Sequence, residues 1–244
     1  DENLSEISDI ELDINNTLVF SAPIIVKSSI YIPSITYKAD EQTTHLVKDI
    51  SIKTSYSQNT LTIESYDLKY KTYFIYSNKS SQILLQNNSE VFFKEFWIFD
   101  NLLLSGVYKI QTKSGDFSLK SDNFHYKDEN ADVNVKMDLN AIFDLNVTQL
   151  QGKVTLLDGN ISYTPKSDYT ISDPDIIIIQ DIKKKKESQI LMNIKIDSSK
   201  DIVYINKNAN ISVRPDIRLL KTAKKDIHLE GKVNITKGEI NLSD

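Results

Sequence analysis

From residue 133 the chain alternates. Val133, Val135, Met137, Leu139, Ala141, Phe143, Leu145 and Val147 take every second position, and Asp132, Asn134, Lys136, Asp138, Asn140, Asp144 and Asn146 fill most places between, with Ile142 the exception. A period of two predicts a strand with one apolar and one charged face, because successive strand residues point to opposite sides. A straight strand of this length would run about 50 Å at ~3.3 Å per residue, so a turn near Asp138 or Asn140 is expected to divide it. Between Thr148 and Leu150 the apolar residues change parity, which predicts a bulge or turn there.

The same alternation recurs in Ile10, Leu12 and Ile14, in Leu18, Phe20 and Ala22, in Ile50 and Ile52, and in Tyr66, Leu68 and Tyr70. It returns in Ile190, Met192, Ile194 and Ile196, then in Val203 with Ile205 and Ile211 with Val213. The expectation is an all-β chain of about fifteen to twenty strands with almost no helix. Asn15-Asn16, Pro33-Ser34, residues 39–42 and Gln58-Asn59 read as turns, and residues 40–49 are the best place for a short helix. The run Val91-Phe92-Phe93-Lys94-Glu95-Phe96-Trp97-Ile98-Phe99 is apolar on both faces at its end, so it is a strand buried on two sides or a hairpin turning at Asp100-Asn101. Ile176 to Ile179 have the texture of a strand buried on both faces, and Lys183 to Lys186 read as a solvated hairpin tip or a contact for anionic head groups.

An internal repeat organises the second half. Gly152-Lys153-Val154-Thr155-Leu156-Leu157-Asp158-Gly159-Asn160-Ile161-Ser162-Tyr163 is matched by Gly231-Lys232-Val233-Asn234-Ile235-Thr236-Lys237-Gly238-Glu239-Ile240-Asn241-Leu242. A looser copy pairs Gly106 with Gly115, flanked by Tyr108, Ile110, Phe117 and Leu119, and these three pairs contain all six glycines. Counting from either glycine, the residues at plus two and plus four are apolar in both close copies. The expectation is a β-hairpin used three times, with the second glycine in a tight turn and the first at a bulge, bend or strand entry.

Composition narrows the function. The net charge of −5, with both signs mixed along the chain, argues against nucleic acid as a partner. With no cysteine there is no disulfide framework and no thiolate metal site, and the compartment stays open. The most apolar run, residues 91–104, is interrupted by charges and shorter than the ~18 residues of a membrane helix. The chain begins at Asp1 without a signal peptide and stops soon after its last strand, so it reads as a piece of a longer protein whose anchor lies elsewhere.

Candidate chemistry is sparse. His45, His125 and His228 are isolated in sequence, without a second ligand at metal spacing. Neither a nucleophile elbow nor a phosphate-cradling glycine loop occurs. Asp173 and Asp175 flank Pro174 and could be a carboxylate pair or calcium ligands, but a proline-centred turn accounts for them without further partners. The expectation is a chain that is not an enzyme and carries no cofactor. What remains is the sheet: either it closes on itself as a sandwich or barrel, or its apolar face covers something that is not this protein. A closed sandwich or solenoid would act as a binding or adhesion module through loops such as residues 164–174 and 183–186.

Residues 152–242 resemble the C-terminal domain of the TamB family, the inner-membrane-anchored subunit of the translocation and assembly module, and more broadly the AsmA-like repeats. The resemblance rests on the hairpin-like stretch from Gly152 to Tyr163, Asp175 followed by Ile176 to Ile179, the strands from Val203 to Val213 around Ala209, and the stretch from Gly231 to Leu242. Residues 1–151 match in texture only, so the expected division is 1–151 and 152–244, within one architecture. TamB chains usually continue past the last such stretch into a glycine- and aromatic-containing strand, which this chain lacks. The resemblance implies a long, curved, taco-like β-sheet with a hydrophobic inner groove in the periplasm, anchored to the inner membrane by another segment. The groove would take phospholipid, with an outer-membrane β-barrel as partner. The lining expected from the alternating apolar faces is Val133, Val135, Met137, Leu139, Phe143, Leu145, Val147, Val154, Leu156, Ile161, Tyr163, Ile194, Ile196, Val233, Ile235, Ile240 and Leu242.

Overall fold

A computed structural model describes residues 7–8, 13–19, 23–38, 44–71, 73–162, 189–206, 209–223 and 225–240. The described chain is all β, with sixteen strands in one mostly antiparallel sheet and no helix. It divides into two units between Ser121 and Asp122; residue 152 instead lies inside a strand.

The first unit holds β1 (Ile7–Ser8), β2 (Asp13–Val19), β3 (Ile25–Lys38), β4 (Thr44–Ser57), β5 (Thr60–Tyr70), β6 (Tyr73–Ser77), β7 (Ser81–Gln86), β8 (Glu90–Phe99), β9 (Leu102–Lys109) and the start of β10 (Ser114–Lys127). Its turns use residues that tolerate positive φ: Gln58-Asn59 (49° and 62°), a two-residue hairpin loop whose geometry matches strand twist, and Asn87-Asn88 (52° and 52°) in the three-residue connection from β7 to β8. Asp100-Asn101 also turns, joining β8 to β9, the second of the two alternatives for this run.

Three local expectations fail. Asn15 and Asn16 lie within β2, paired with Ser29 and Ser28. Ser28 Oγ donates to Asn16 Oδ1 at 2.6 Å, so a strand partner satisfies the amide that a turn would have used. Pro33 and Ser34 lie within β3; the proline, lacking a donor, sits beside the irregular stretch of β4 where Asp49 has φ 53°. Residues 44–49 are strand, not helix, because β4 pairs with β3 along its length; residues 39–43 lie outside the described residues.

Pairing lines up an apolar row across six strands of this unit: Tyr56, Leu61, Ile83, Phe93, Gly106 and Phe117 are successive partners. Cross-strand partners share a face, and with no side chain on Gly106 the rings of Phe93 and Phe117 meet over it, 5.5 Å apart and edge-on. β6 and β7 lie end to end along β5. At their junction Ser77 and Ser81 are fully buried, and Ser81 Oγ accepts from Trp97 N at 2.8 Å. The Tyr66 hydroxyl donates to the carbonyls of Trp97 and Ile98. Burial, with the Asp100 carboxylate nearby, raises its pKa to about 12. Lys79 Nζ stands over the Trp97 ring, 3.8 Å from its centroid.

The second unit holds the rest of β10, β11 (Ala131–Phe143), β12 (Val147–Ile161), β13 (Gln189–Ser198), β14 (Ile202–Ile205), β15 (Ala209–Thr222) and β16 (Lys225–Ile240). β11 runs through Asp138 and Asn140 without a break. The turn comes at Asp144-Leu145-Asn146, where Asp144 Oδ1 accepts from Asn146 N (2.8 Å) and Val147 N (2.9 Å) while Asp144 N donates to Val147 O (2.9 Å). Asp128 makes the same three bonds before β11, and Asn206 N repeats the backbone bond to Ala209 O. An Asp-x-Asn turn capped by its own carboxylate is thus the recurring punctuation of this unit. The run from Ile176 to Ile179, the lysines at 183–186 and the Asp173-Pro174-Asp175 turn lie outside the described residues.

Candidate functional site

The two close glycine repeats are not hairpins. Each runs as one continuous strand, β12 and β16, and in each the second glycine lies within the strand, two residues before its last described residue. The two glycines of a copy are seven positions apart, an odd spacing, so a straight strand would put Val154 and Ile161 on opposite faces. A bulge solves the problem that a turn was expected to solve. β12 skips Leu157 opposite Asn134 and Val135, and β16 skips Thr236 opposite Ser212 and Val213. Leu157 and Thr236 hold the same place in their copies. Only the loose third copy is a hairpin, β9 to β10, turning through residues 110–113.

Gly152 and Gly231 have φ 142° and 129°, a region L side chains rarely enter. A Cβ on Gly152 would lie 2.8 Å from Leu139 Cα on β11, and one on Gly231 would lie 2.7 Å from Ile217 Cα on β15. The repeat is therefore a backbone device: at these points one strand leans against its neighbour.

Partner by partner, the pairing assembles one face. Met137, Val154, Ile196, Ile217 and Gly231 form one row across β11, β12, β13, β15 and β16, and Leu139, Gly152, Ile194, Leu219 and Leu229 form the next. Val135 meets Leu156, Ala131 meets Ile161, Ile202 meets Val213, and Val213 meets Ile235. Val133 and Phe143 share the β11 parity, and Val233 the β16 parity. Thus Val133, Val135, Met137, Leu139, Phe143, Val154, Leu156, Ile161, Ile194, Ile196, Val233 and Ile235 all belong to this face.

Two residues of the expected lining do not join it. Leu145 is at the tip of the β11–β12 turn, 68% exposed. Val147 comes just after that turn, and Phe143 pairing with Thr148 puts Val147 on the opposite, charged face. The parity change at 148–150 thus reflects a turn already made. Tyr163 and Leu242 lie outside the described residues, and Ile240 is placed only by its backbone pairing with Ala209.

Among the described residues this face is covered unevenly, buried at Val133, Val135, Ile194 and Ile202 and open along β16. Across both units the described apolar side chains that are buried are Ile50, Leu102, Val133, Val135, Ile194 and Ile202. Leu229, Val233 and Ile235 on β16 are 62%, 54% and 59% exposed.

The opposite face carries ordered charge. Asp197 on β13 receives Lys153 Nζ at 2.8 Å and Thr155 Oγ1 at 2.7 Å, and Lys195 reaches on to Asp216 at 3.2 Å. Nearer β10, Asp132 accepts from His125 and Lys127, and Asp122 from Lys136, each at 2.7 Å. Asp201, between β13 and β14, accepts from Arg214 Nε and, across the β16 bulge, from Thr236 Oγ1 at 2.8 Å. These pairs orient the sheet, charged side to water.

Desolvation pushes the Asp197 carboxyl up, but the bonds from Lys153 and Thr155 and the two lysine charges outweigh it, so its pKa lies below the usual carboxylate value. A depressed pKa gives stability that is present above the unfolded pKa, about 3.9, and is lost as pH falls through the folded value. Asp197→Asn should therefore flatten the decline of thermal stability between about pH 5 and pH 3. Its cost at neutral pH should be small, ~0.5–1 kcal/mol for a partly solvated pair. An unchanged decline would mean that the ladder does not couple to folding.

Among the described residues no three metal-ligating side chains converge, and no helix is long and apolar enough to cross a membrane. No family model, curated protein or solved structure matches the chain.

Proposed function

We propose that this chain is a non-enzymatic lipid-shielding segment whose apolar sheet face covers acyl chains. On the resemblance to the TamB family, its place is a periplasmic bridge supporting phospholipid movement between inner and outer membranes and outer-membrane protein assembly. Its partners would be phospholipid and, for the whole protein, an outer-membrane β-barrel. The observation that carries the reading is the apolar face running through five strands of the second unit, with Leu229, Val233 and Ile235 more than half exposed.

The physics is favourable on both sides. Water exposure of an acyl chain costs ~0.8 kcal/mol per CH₂, roughly 12 kcal/mol for a sixteen-carbon chain. Covering a half-exposed Leu, Val or Ile adds on the order of 1 kcal/mol each. A glycine-leaned, bulge-corrected sheet keeps the apolar side chains on one face throughout, which sliding of a chain requires and which no covalent chemistry would improve.

Native mass spectrometry of the chain purified from a Gram-negative host tests the reading. The expected result is phospholipid retained with the protein and released by mild activation. Lipid-free protein that also fails to take up added phospholipid would overturn it and favour a module acting through its loops.

A further inference from the structure

Among the described residues β16 pairs only with β15, and no strand lies on its outer side. The unpaired N–H and C=O groups of such an edge are a template for another strand. Along β16, Ile227, Leu229, Gly231, Val233 and Ile235 share the apolar face, with Ile227 57% exposed, and His228, Glu230, Lys232 and Asn234 take the other.

About Gly231 this order is self-complementary. If two copies pair antiparallel with Gly231 opposite Gly231, residues equidistant from the axis meet: Leu229 with Val233, Ile227 with Ile235, His228 with Asn234, and Glu230 with Lys232. Every exposed apolar side chain finds an apolar one, and the Glu–Lys pair forms twice. Within each chain Lys232 already faces Asp216 and Glu230 faces Arg218 across β15. The seam would therefore continue an alternating row: Asp216, Lys232, the partner's Glu230, the partner's Arg218. Neighbouring registers lose this. Centring on Lys232 sets lysine against lysine, centring on Glu230 sets glutamate against glutamate, and centring on Leu229 sets Val233 against Lys225 and Ile227 against Gly231. Lysine on an edge strand commonly keeps copies apart; here symmetry places a glutamate opposite it.

We infer that the chain forms a two-fold symmetric dimer through antiparallel pairing of β16 with β16 of a second copy, centred on Gly231. The axis runs perpendicular to the sheet, so the two apolar faces join into one. The dimer does not depend on what that face binds.

Sedimentation equilibrium of the full chain should report twice the monomer mass at micromolar concentration. Lys232→Glu sets glutamate against glutamate twice and should weaken the dimer about tenfold or more, as should Glu230→Lys; the double exchange Glu230→Lys with Lys232→Glu rebuilds both seam pairs and should recover most of the loss, the remainder coming from Asp216 and Arg218, which then face like charges on their own β16. Because the chain has no cysteine, Leu229→Cys combined with Val233→Cys should give a disulfide-linked dimer on mild oxidation, while either alone should not. Circular dichroism of each variant checks that the strands persist. A monomer at all concentrations, a dimer indifferent to the charge exchange, or no linked dimer from the paired cysteines would each overturn the inference.

Discussion

Gly152→Ala should destabilise the chain by roughly 2–4 kcal/mol, from backbone strain at a φ that only glycine enters readily plus overpacking against β11. The added methyl has nowhere to go, because β12 is held by β11 on one side and by β13 and β14 on the other. Gly231→Ala makes the same approach to Ile217, but β16 has one described neighbour and can withdraw, so its loss should be smaller. Urea unfolding of both variants reads the difference. Equal midpoints for wild type and Gly152→Ala would show that the lean of β12 on β11 is not a structural requirement.

Ile235→Asp should leave the chain folded and lower retained phospholipid several-fold. The side chain is 59% exposed, so the fold loses little, while a carboxylate in the path of an acyl chain carries its full desolvation cost. Leu145→Arg, at the tip of a turn, should change neither folding nor lipid. Lys232→Glu, three residues before Ile235 on the same strand but on the charged face, controls for effects through the β16 edge. If Ile235→Asp retains lipid at the wild-type level while folded, the outer part of this face does not carry it.

The all-β class was legible because the period of two is strong: β11 keeps the alternation read from the sequence, although it is not divided near Asp138 or Asn140 as expected and it ends at Phe143. The helix expected at 40–49 was a weak preference in a polar stretch, and pairing with β3 overrides it from Thr44 onward. Asn15-Asn16 was misread because a turn dipeptide has the same composition as a polar strand pair, and only a partner such as Ser28 tells them apart.

The glycine repeat is the more instructive miss. Apolar residues at plus two and plus four from both glycines, across an odd spacing, demand a change of phase, and sequence alone does not say whether a turn or a single extra residue provides it. Leu157 in the first copy was the available signal, an apolar residue out of phase with Val154 and Leu156. Thr236 masks that signal in the second copy. The Asp-x-Asn turn at 128, and again at 144, was readable as a repeat and would have corrected the placement of Leu145 and Val147 in advance.

Single-residue photocrosslinking along β12 tests the central claim most directly. A photoreactive side chain is placed in turn at 153, 154, 155 and 156, then at 158, 160 and 161, and phospholipid adducts are counted by mass spectrometry. Lipid on the apolar face predicts adducts at Val154 and Leu156, none at Lys153 or Thr155, and after the bulge at Leu157 a reversal of parity, with Ile161 reactive and Asp158 and Asn160 silent. Adducts spread over both faces, or none at Val154, Leu156 and Ile161 in folded protein, would contradict it.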